Sequence, residues 1–395
     1  DVTGIYIGEL DGSRSVRLTA ADSQGEYLPS GWLLWVRAGV LVAQRLDEKK
    51  MSLTGEAVTL ATGVFVEQTN QKSSVSVSST GVVAYRTGGG GRRQLTWFDR
   101  SGAARGVVGD PDDTLIDPHL SPDGRRVAVG RTIQSNLDLW LLDGAHVSRL
   151  TFDPAIDRFP VWSPDGTRIA FRANRTGSGD LYQKLADGSG EDERLVNSDQ
   201  LKVPTSWSPD GRFLLYLTVD PKTASDLWVV PTTGDHTPSI FLKTPFAERF
   251  GVFSPDGHWV AYQSNESGRI EIYVRPFVPP GGTPAATTTS NQWQVSFAGG
   301  VTPLWARDGK ELYFLNPAGD MMAAPIAVHG SSLEPGTPVR LFPTRIFAGG
   351  GDKDSGQSIQ FDVGRDGRFL INHMIKDDSS APITLLQNWN PEAKK

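Results

Sequence analysis

Short apolar runs alternate with polar turns along the whole chain, and no stretch carries the three-to-four-residue spacing of an amphipathic helix. Inside the runs the spacing is two, as in Arg168-Ile169-Ala170-Phe171, or the run is apolar throughout, as in Phe213-Leu214-Leu215-Tyr216; both read as strands. The phrase Ser-Pro-Asp-Gly separates pairs of such runs at Ser121–Gly124, Ser163–Gly166, Ser208–Gly211 and Ser254–Gly257, in steps of 42, 45 and 46 residues. Proline sets φ for the first corner of a β-turn, aspartate suits the second, and glycine takes the left-handed position that returns the chain. A strand ending in Leu120, Trp162, Trp207 or Phe253 precedes each turn. After the strand that follows it come a third (Asp138–Leu141, Asp180–Tyr182, Asp226–Val229, Glu271–Val274) and a fourth, clearest at Ser148–Thr151. Four strands per period of this length predict the blade of an all-β propeller.

Degenerate copies extend the series. Ala306–Gly309 and Gly364–Gly367 keep the Asp-Gly corner, Ser78–Gly81 keeps its glycine, and a further copy falls near Leu28–Gly31. The count favours a single domain over 1–395 with eight four-stranded antiparallel blades, seven being the alternative. The blades fall at about 24–66, 74–113, 114–156, 157–200, 201–246, 247–299, 300–347 and 356–390. In the last one Ile359–Val363, Phe369–His373 and Ile383–Trp389 are expected as inner strands, with an N-terminal strand from residues 1–20 closing the ring. A propeller grows by adding blades around an axis, so 395 residues need not mean two domains.

Composition fits many tight turns and wide packing surfaces, with 43 glycines, 26 prolines and 11 tryptophans. The longest apolar runs, such as Trp32–Val36, are too short to span a bilayer, so no membrane insertion of this segment is expected. A net charge of −6 with no basic run argues against nucleic acid as a partner. With no cysteine there is no disulfide, thiol nucleophile or zinc-thiolate site.

The run Pro160–Phe171 followed by Gly179–Tyr182 resembles the WD-like repeat of TolB-type propellers, which also builds the propellers of prolyl-oligopeptidase-type and tricorn-type peptidases. Arg93–Gly102, Lys202–Ser208 and Pro382–Trp389 resemble the C-terminal extracytoplasmic propellers of bacterial receptor-like serine/threonine kinases. The resemblance implies a periplasmic or extracellular bacterial location and a non-catalytic binding role, as the sensor or scaffold of such a kinase or as a TolB-like periplasmic protein. The chain has no Gly-rich loop with a Val-Ala-Ile-Lys strand, no His-Arg-Asp loop and no Asp-Phe-Gly, so phosphoryl transfer has no residues here. It also lacks the Gly-x-Ser-x-Gly elbow of a hydrolase.

Site chemistry is sparse. The six histidines do not recur at one blade position, and His119 alone precedes a turn inside an inner strand, where packing is the plainer reading. Asp352–Gly356 offers a faint calcium loop with two carboxylates; no other cofactor or metal is expected. The residues opening the innermost strands, Asp117, Asp157, Arg158, Lys202, Glu248 and Arg249, form an expected mixed-charge collar at one face of the ring. Both signs of charge suit a protein or peptide, or a glycan, better than a ligand of one sign. Local ion pairs are the competing reading of these same residues. Asp138, Asp180 and Asp226 recur at equivalent places, which favours a scaffold role. Two alternatives to a binding module remain at this point: a propeller hydrolase, lyase or peptidase-associated propeller, and a self-assembling propeller whose exposed blade edges pair between copies.

Overall fold

The computed structural model describes residues 4–64, 66–67, 72–87, 93–133, 136–177, 179–220, 224–281, 292–346, 359–375, 382–387 and 389. They are strands and turns throughout, and no helix among them is long and apolar enough to cross a membrane. The chain divides into two compact units, one of residues 1–92 with 376–395 and one of residues 93–375.

In the first unit Glu26–Leu28, Trp32–Arg37, Val40–Asp47 and Ser52–Thr62 make a four-stranded antiparallel sheet. Ile5–Gly8 pairs with Ser15–Thr19, and Val83–Arg86 lies between Val75–Val77 and Ile383–Leu386. Its core gathers Leu34, Val36, Leu41 and Val83, and the Trp32 and Trp389 rings meet edge to face at 5.4 Å.

The second unit holds six sheets among its described residues. The first four blades run outward in sequence order, each opened by an innermost strand: Ile116–Leu120, Asp157–Trp162, Lys202–Trp207 and Glu248–Phe253. The fifth opens with Val301–Trp305. The sixth joins the two ends of the unit, because Phe361–Val363 and Phe369–Met374 continue into Arg93–Phe98 and then Ala104–Val108. Each innermost strand packs on the next, and Phe361–Val363 packs on both Ile116–Leu120 and Val301–Trp305, which completes the cycle.

This pairing corrects the expected closure and the eight-blade count. The N-terminal strands pair with each other, Ile383–Leu386 pairs with Val83–Arg86, and the expected blade 74–113 is divided between the two units. The reason is edge satisfaction. Arg93–Phe98 has Ala104–Val108 on one side, and its other edge is filled over six register pairs by Phe369–Met374.

Strands inside a blade have neighbours on both faces, so Trp259–Ser264 is buried at every position and Phe213–Asp220 throughout its middle, Leu214–Thr218. The four Ser-Pro-Asp-Gly turns share one network. In the second blade Ser163 Oγ donates to Asp165 Oδ1 at 2.6 Å, Arg168 N donates back to Ser163 Oγ at 2.9 Å, and Gly166 takes φ of +71°. The Ser163 hydroxyl is the leading reason that the Asp165 carboxyl lies below its usual range. Successive turns also touch: a side chain on Gly166 would meet Pro122, one on Gly211 Pro164, one on Gly257 Pro209 and one on Gly309 Pro255. The proline that shapes one turn therefore packs under the glycine of the next.

Candidate functional site

Four residues before each turn the innermost strand bulges. Asp117, Phe159, Phe250 and Thr302 take φ of +50° to +58° there, and the ladder register breaks at the same place. Left-handed backbone costs a non-glycine residue about 1–2 kcal/mol, so its recurrence at one level of the ring marks a conformation held by the surrounding packing. In the third blade the equivalent residue is Pro204, whose ring forbids positive φ, and the register breaks just beyond it. The bulges turn Asp117, Phe159 and Phe250, with Val203, Pro204 and Ile359, onto a largely apolar neck enclosing about 30 Å³. His119 also lines it. Burial lowers its pKa, and its Nδ1 has no hydrogen-bond partner.

The collar residues separate into two groups. Asp157, Lys202 and Glu248, six residues before their turns, are buried at the junction with the preceding blade. Lys202 Nζ donates to Asp180 Oδ1 at 2.8 Å and to the carbonyls of Ser198 and Gln200 at 2.7 and 2.8 Å, so its ammonium is already surrounded by acceptors. At the other two junctions an acid replaces the lysine. Burial pushes Asp157 up to about 7 against the pull of Arg175, whose Nη2 lies 3.3 Å away, with the negative charge of Asp138 adding to the rise. Burial likewise raises Glu248 to about 7 despite a hydrogen bond from Thr244, and Asp226 adds to the rise. The recurring aspartates act as expected of a scaffold: Asp138 meets Arg149 at 2.7 Å, Asp180 meets Lys202, and Asp226 meets Lys243 at 3.0 Å.

In the second group Asp117 is buried and the two arginines are half-buried. Arg158 Nε lies 3.3 Å from Asp117 Oδ2, and Arg249 Nε donates to Ser225 Oγ at 3.0 Å. The structure thus brings Asp117 and Arg158 together across a blade junction and leaves Arg249 at a different one. Arg172, near the end of the second strand of the second blade, and Arg175, in the turn just beyond it, belong to this face but are absent from the sequence-derived collar. The signal for Arg172 was a charge near the end of an otherwise apolar strand.

Antiparallel alternation puts the loops that link one blade's fourth strand to the next blade's first strand on the same face as the collar, opposite the Ser-Pro-Asp-Gly turns. Those loops carry Phe152 (66% exposed), Ile156 (43%), Phe246 (40%) and Phe297 (61%).

Residues 64–229 match the family model described as TolB beta propeller domain. Over these residues the chain is similar to TolB-type β-propellers. It is 33% identical over 132 residues to the Tol-Pal system protein TolB of Anaeromyxobacter dehalogenans (strain 2CP-C), and 34% identical over 132 residues to that of strain 2CP-1 / ATCC BAA-258. Each match covers 33% of this chain and 30% of the relative, so the chain spans under a third of the length of these curated relatives. Among solved structures, a putative TolB from Agrobacterium tumefaciens aligns with a TM-score of 0.50 and 18% identity over 64% of this chain and 91% of that one. At that identity the likeness speaks for the fold.

Among the described residues no group of three His, Asp or Glu side chains could hold a metal ion. The Asp352–Gly356 run lies outside the described residues. The collar face presents charged side chains beside exposed aromatic ones.

Proposed function

We propose that the ring of residues 93–375 is a non-catalytic protein-binding module that docks a protein or peptide on its collar face. The observation that carries this reading is the set of exposed apolar side chains, Phe152, Ile156, Phe246 and Phe297, on loops of that face. Aromatic groups and arginines are the residues by which protein interfaces differ from the rest of a surface, and a cluster of exposed apolar groups rimmed by charge marks a docking site. The likeness to Tol-Pal system proteins supports the same class of partner. A periplasmic or extracellular location belongs to the proposal. So does the finer role as sensor or scaffold region of a receptor-like kinase, which rests on the resemblances at Arg93–Gly102, Lys202–Ser208 and Pro382–Trp389.

Site-specific photo-cross-linking tests it. A benzophenone amino acid at 152, 246 or 297 is expected to yield discrete protein adducts in the source cell. The same probe at Ile240, exposed on an outermost strand, should yield none. Combining Phe246→Ala with Phe297→Ala should abolish adducts formed from position 156. Equal adducts from 240 and 246 would refute the assignment of the face.

A further inference from the structure

Arg158 and Arg172 are register partners across the first hairpin of the second blade, so two guanidinium groups leave adjacent strands on one face. Their proximity shows in Arg172, which burial and then the Arg158 charge bring down to about 10, with Asp117 opposing. Asp117, from the first blade, meets Arg158 through one nitrogen only, Nε at 3.3 Å. Charge-assisted contacts are usually about 2.7–2.9 Å and, for arginine with carboxylate, often two-pronged. Nη2 of Arg158 is sealed from solvent and hydrogen-bonded to nothing. The Phe159 ring centroid lies 4.4 Å from the guanidinium carbon and covers one flat face of the group. Both bulges at this junction, Asp117 and Phe159, are in the left-handed region, so the backbone that presents the pair is strained, as it is at Phe250 and Thr302.

Asp117 already sets a carboxylate beside the Arg158 guanidinium, the group that the arginine fork matches. We propose that Arg158 and Arg172 receive a carboxylate side chain of the docking partner, and that Asp117 occupies this place in the unbound protein. Docking replaces the long, single-nitrogen contact with Asp117 by a two-pronged contact from the incoming acid. The inference rests on the protein-docking reading above and names the chemistry that reading lacks: an acidic segment set among the aromatic loop residues.

The test is fluorescence anisotropy of a fluorescein-labelled hexaglutamate peptide with the intact chain at low ionic strength. Arg158→Gln and Arg172→Gln should each weaken binding by about tenfold or more, the loss expected for one charged contact. Asp117→Asn should tighten it, because the internal competitor is gone; a purely structural Asp117 would not do this. Arg158→Lys keeps the charge and loses the fork, so an intermediate loss is expected, and this variant serves if Arg158→Gln loses its β-sheet circular dichroism. No binding of hexaglutamate to the unmodified chain, unchanged affinity in both arginine-to-glutamine variants, or weaker binding in Asp117→Asn would overturn the proposal. Displacement of the peptide by inorganic phosphate at concentrations where acetate is without effect would overturn the carboxylate assignment. Cross-linking from positions 246 and 297 is independent of these arginines. If it persists while hexaglutamate fails to bind, the acid site falls and the docking face stands.

Discussion

At the scale of single residues, one position six places before the turn decides the electrostatics of each blade junction. Lysine there, as at Lys202, gives a direct buried pair with the preceding blade's Asp180. An acid there, as at Asp157 and Glu248, sets carboxylate near carboxylate, with Arg175 beside Asp157 and Lys243 beside Asp226 as the compensating cations. Both acids are held protonated well above their ordinary values of 3.8 and 4.5, each up to about 7. Between the unfolded and folded values the native state binds more protons than the unfolded chain, so this contribution to stability falls as pH rises from about 4 to about 7 and is constant outside that window. Asp157→Asn with Glu248→Gln should therefore raise the melting temperature relative to the unmodified chain at pH 7.5 and leave little difference at pH 4. A difference that grows towards low pH, read by thermal denaturation in a pH series, would contradict the burial of these acids as the cause.

At the scale of elements, the turn is a repeated part whose serine and aspartate side chains bond within the turn. Ser163 Oγ accepts from Arg168 N and donates to Asp165, while Thr167 N donates to Asp165 Oδ1 at 3.0 Å, and the same arrangement recurs at Ser121, Ser208 and Ser254. Ser163→Ala should cost about 1–2 kcal/mol in urea denaturation. Adding Asp165→Ala should cost less than a second independent loss, because both changes break one network. Neither should alter cross-linking from the opposite face. The inner strand is the contrasting element: it carries the same bulge in four blades, but the side chains at the bulge differ, Asp117, Phe159, Phe250 and Thr302, and it is there that the ring can be individual.

At the scale of the molecule, the second unit is closed by strands about 270 residues apart in the chain. Arg93–Phe98 and Phe369–Met374 are the first and last strands of this unit, paired edge to edge, and closure of this kind removes the open edge that would otherwise pair with other chains. A fragment of residues 93–375 should fold alone with a single cooperative thermal transition. One ending at 346 leaves the Arg93–Phe98 edge and the sides of Ile116–Leu120 and Val301–Trp305 uncovered, and should aggregate or melt without cooperativity. Equal transitions for the two fragments would show that the sixth blade is dispensable.

Strand identity, hairpin turns and the four-stranded blade were legible from residues alone, because turn chemistry and a two-residue period are local signals that each blade repeats, as Ser163–Phe171 shows. The scaffold role of Asp138, Asp180 and Asp226 was legible for the same reason: a structural bond recurs with the repeat. The division of charged residues into buried junction groups (Asp157, Lys202, Glu248) and less buried ones (Arg158, Arg172) was not, since burial depends on which neighbouring blade faces a side chain. The left-handed bulge at Asp117 and Phe159 leaves no mark in composition, because glycine, its usual sign, is absent there. Closure was decided only in three dimensions. Several terminal strands had equal claim to pair, and the choice fell to edges far apart in the chain that no periodic pattern relates.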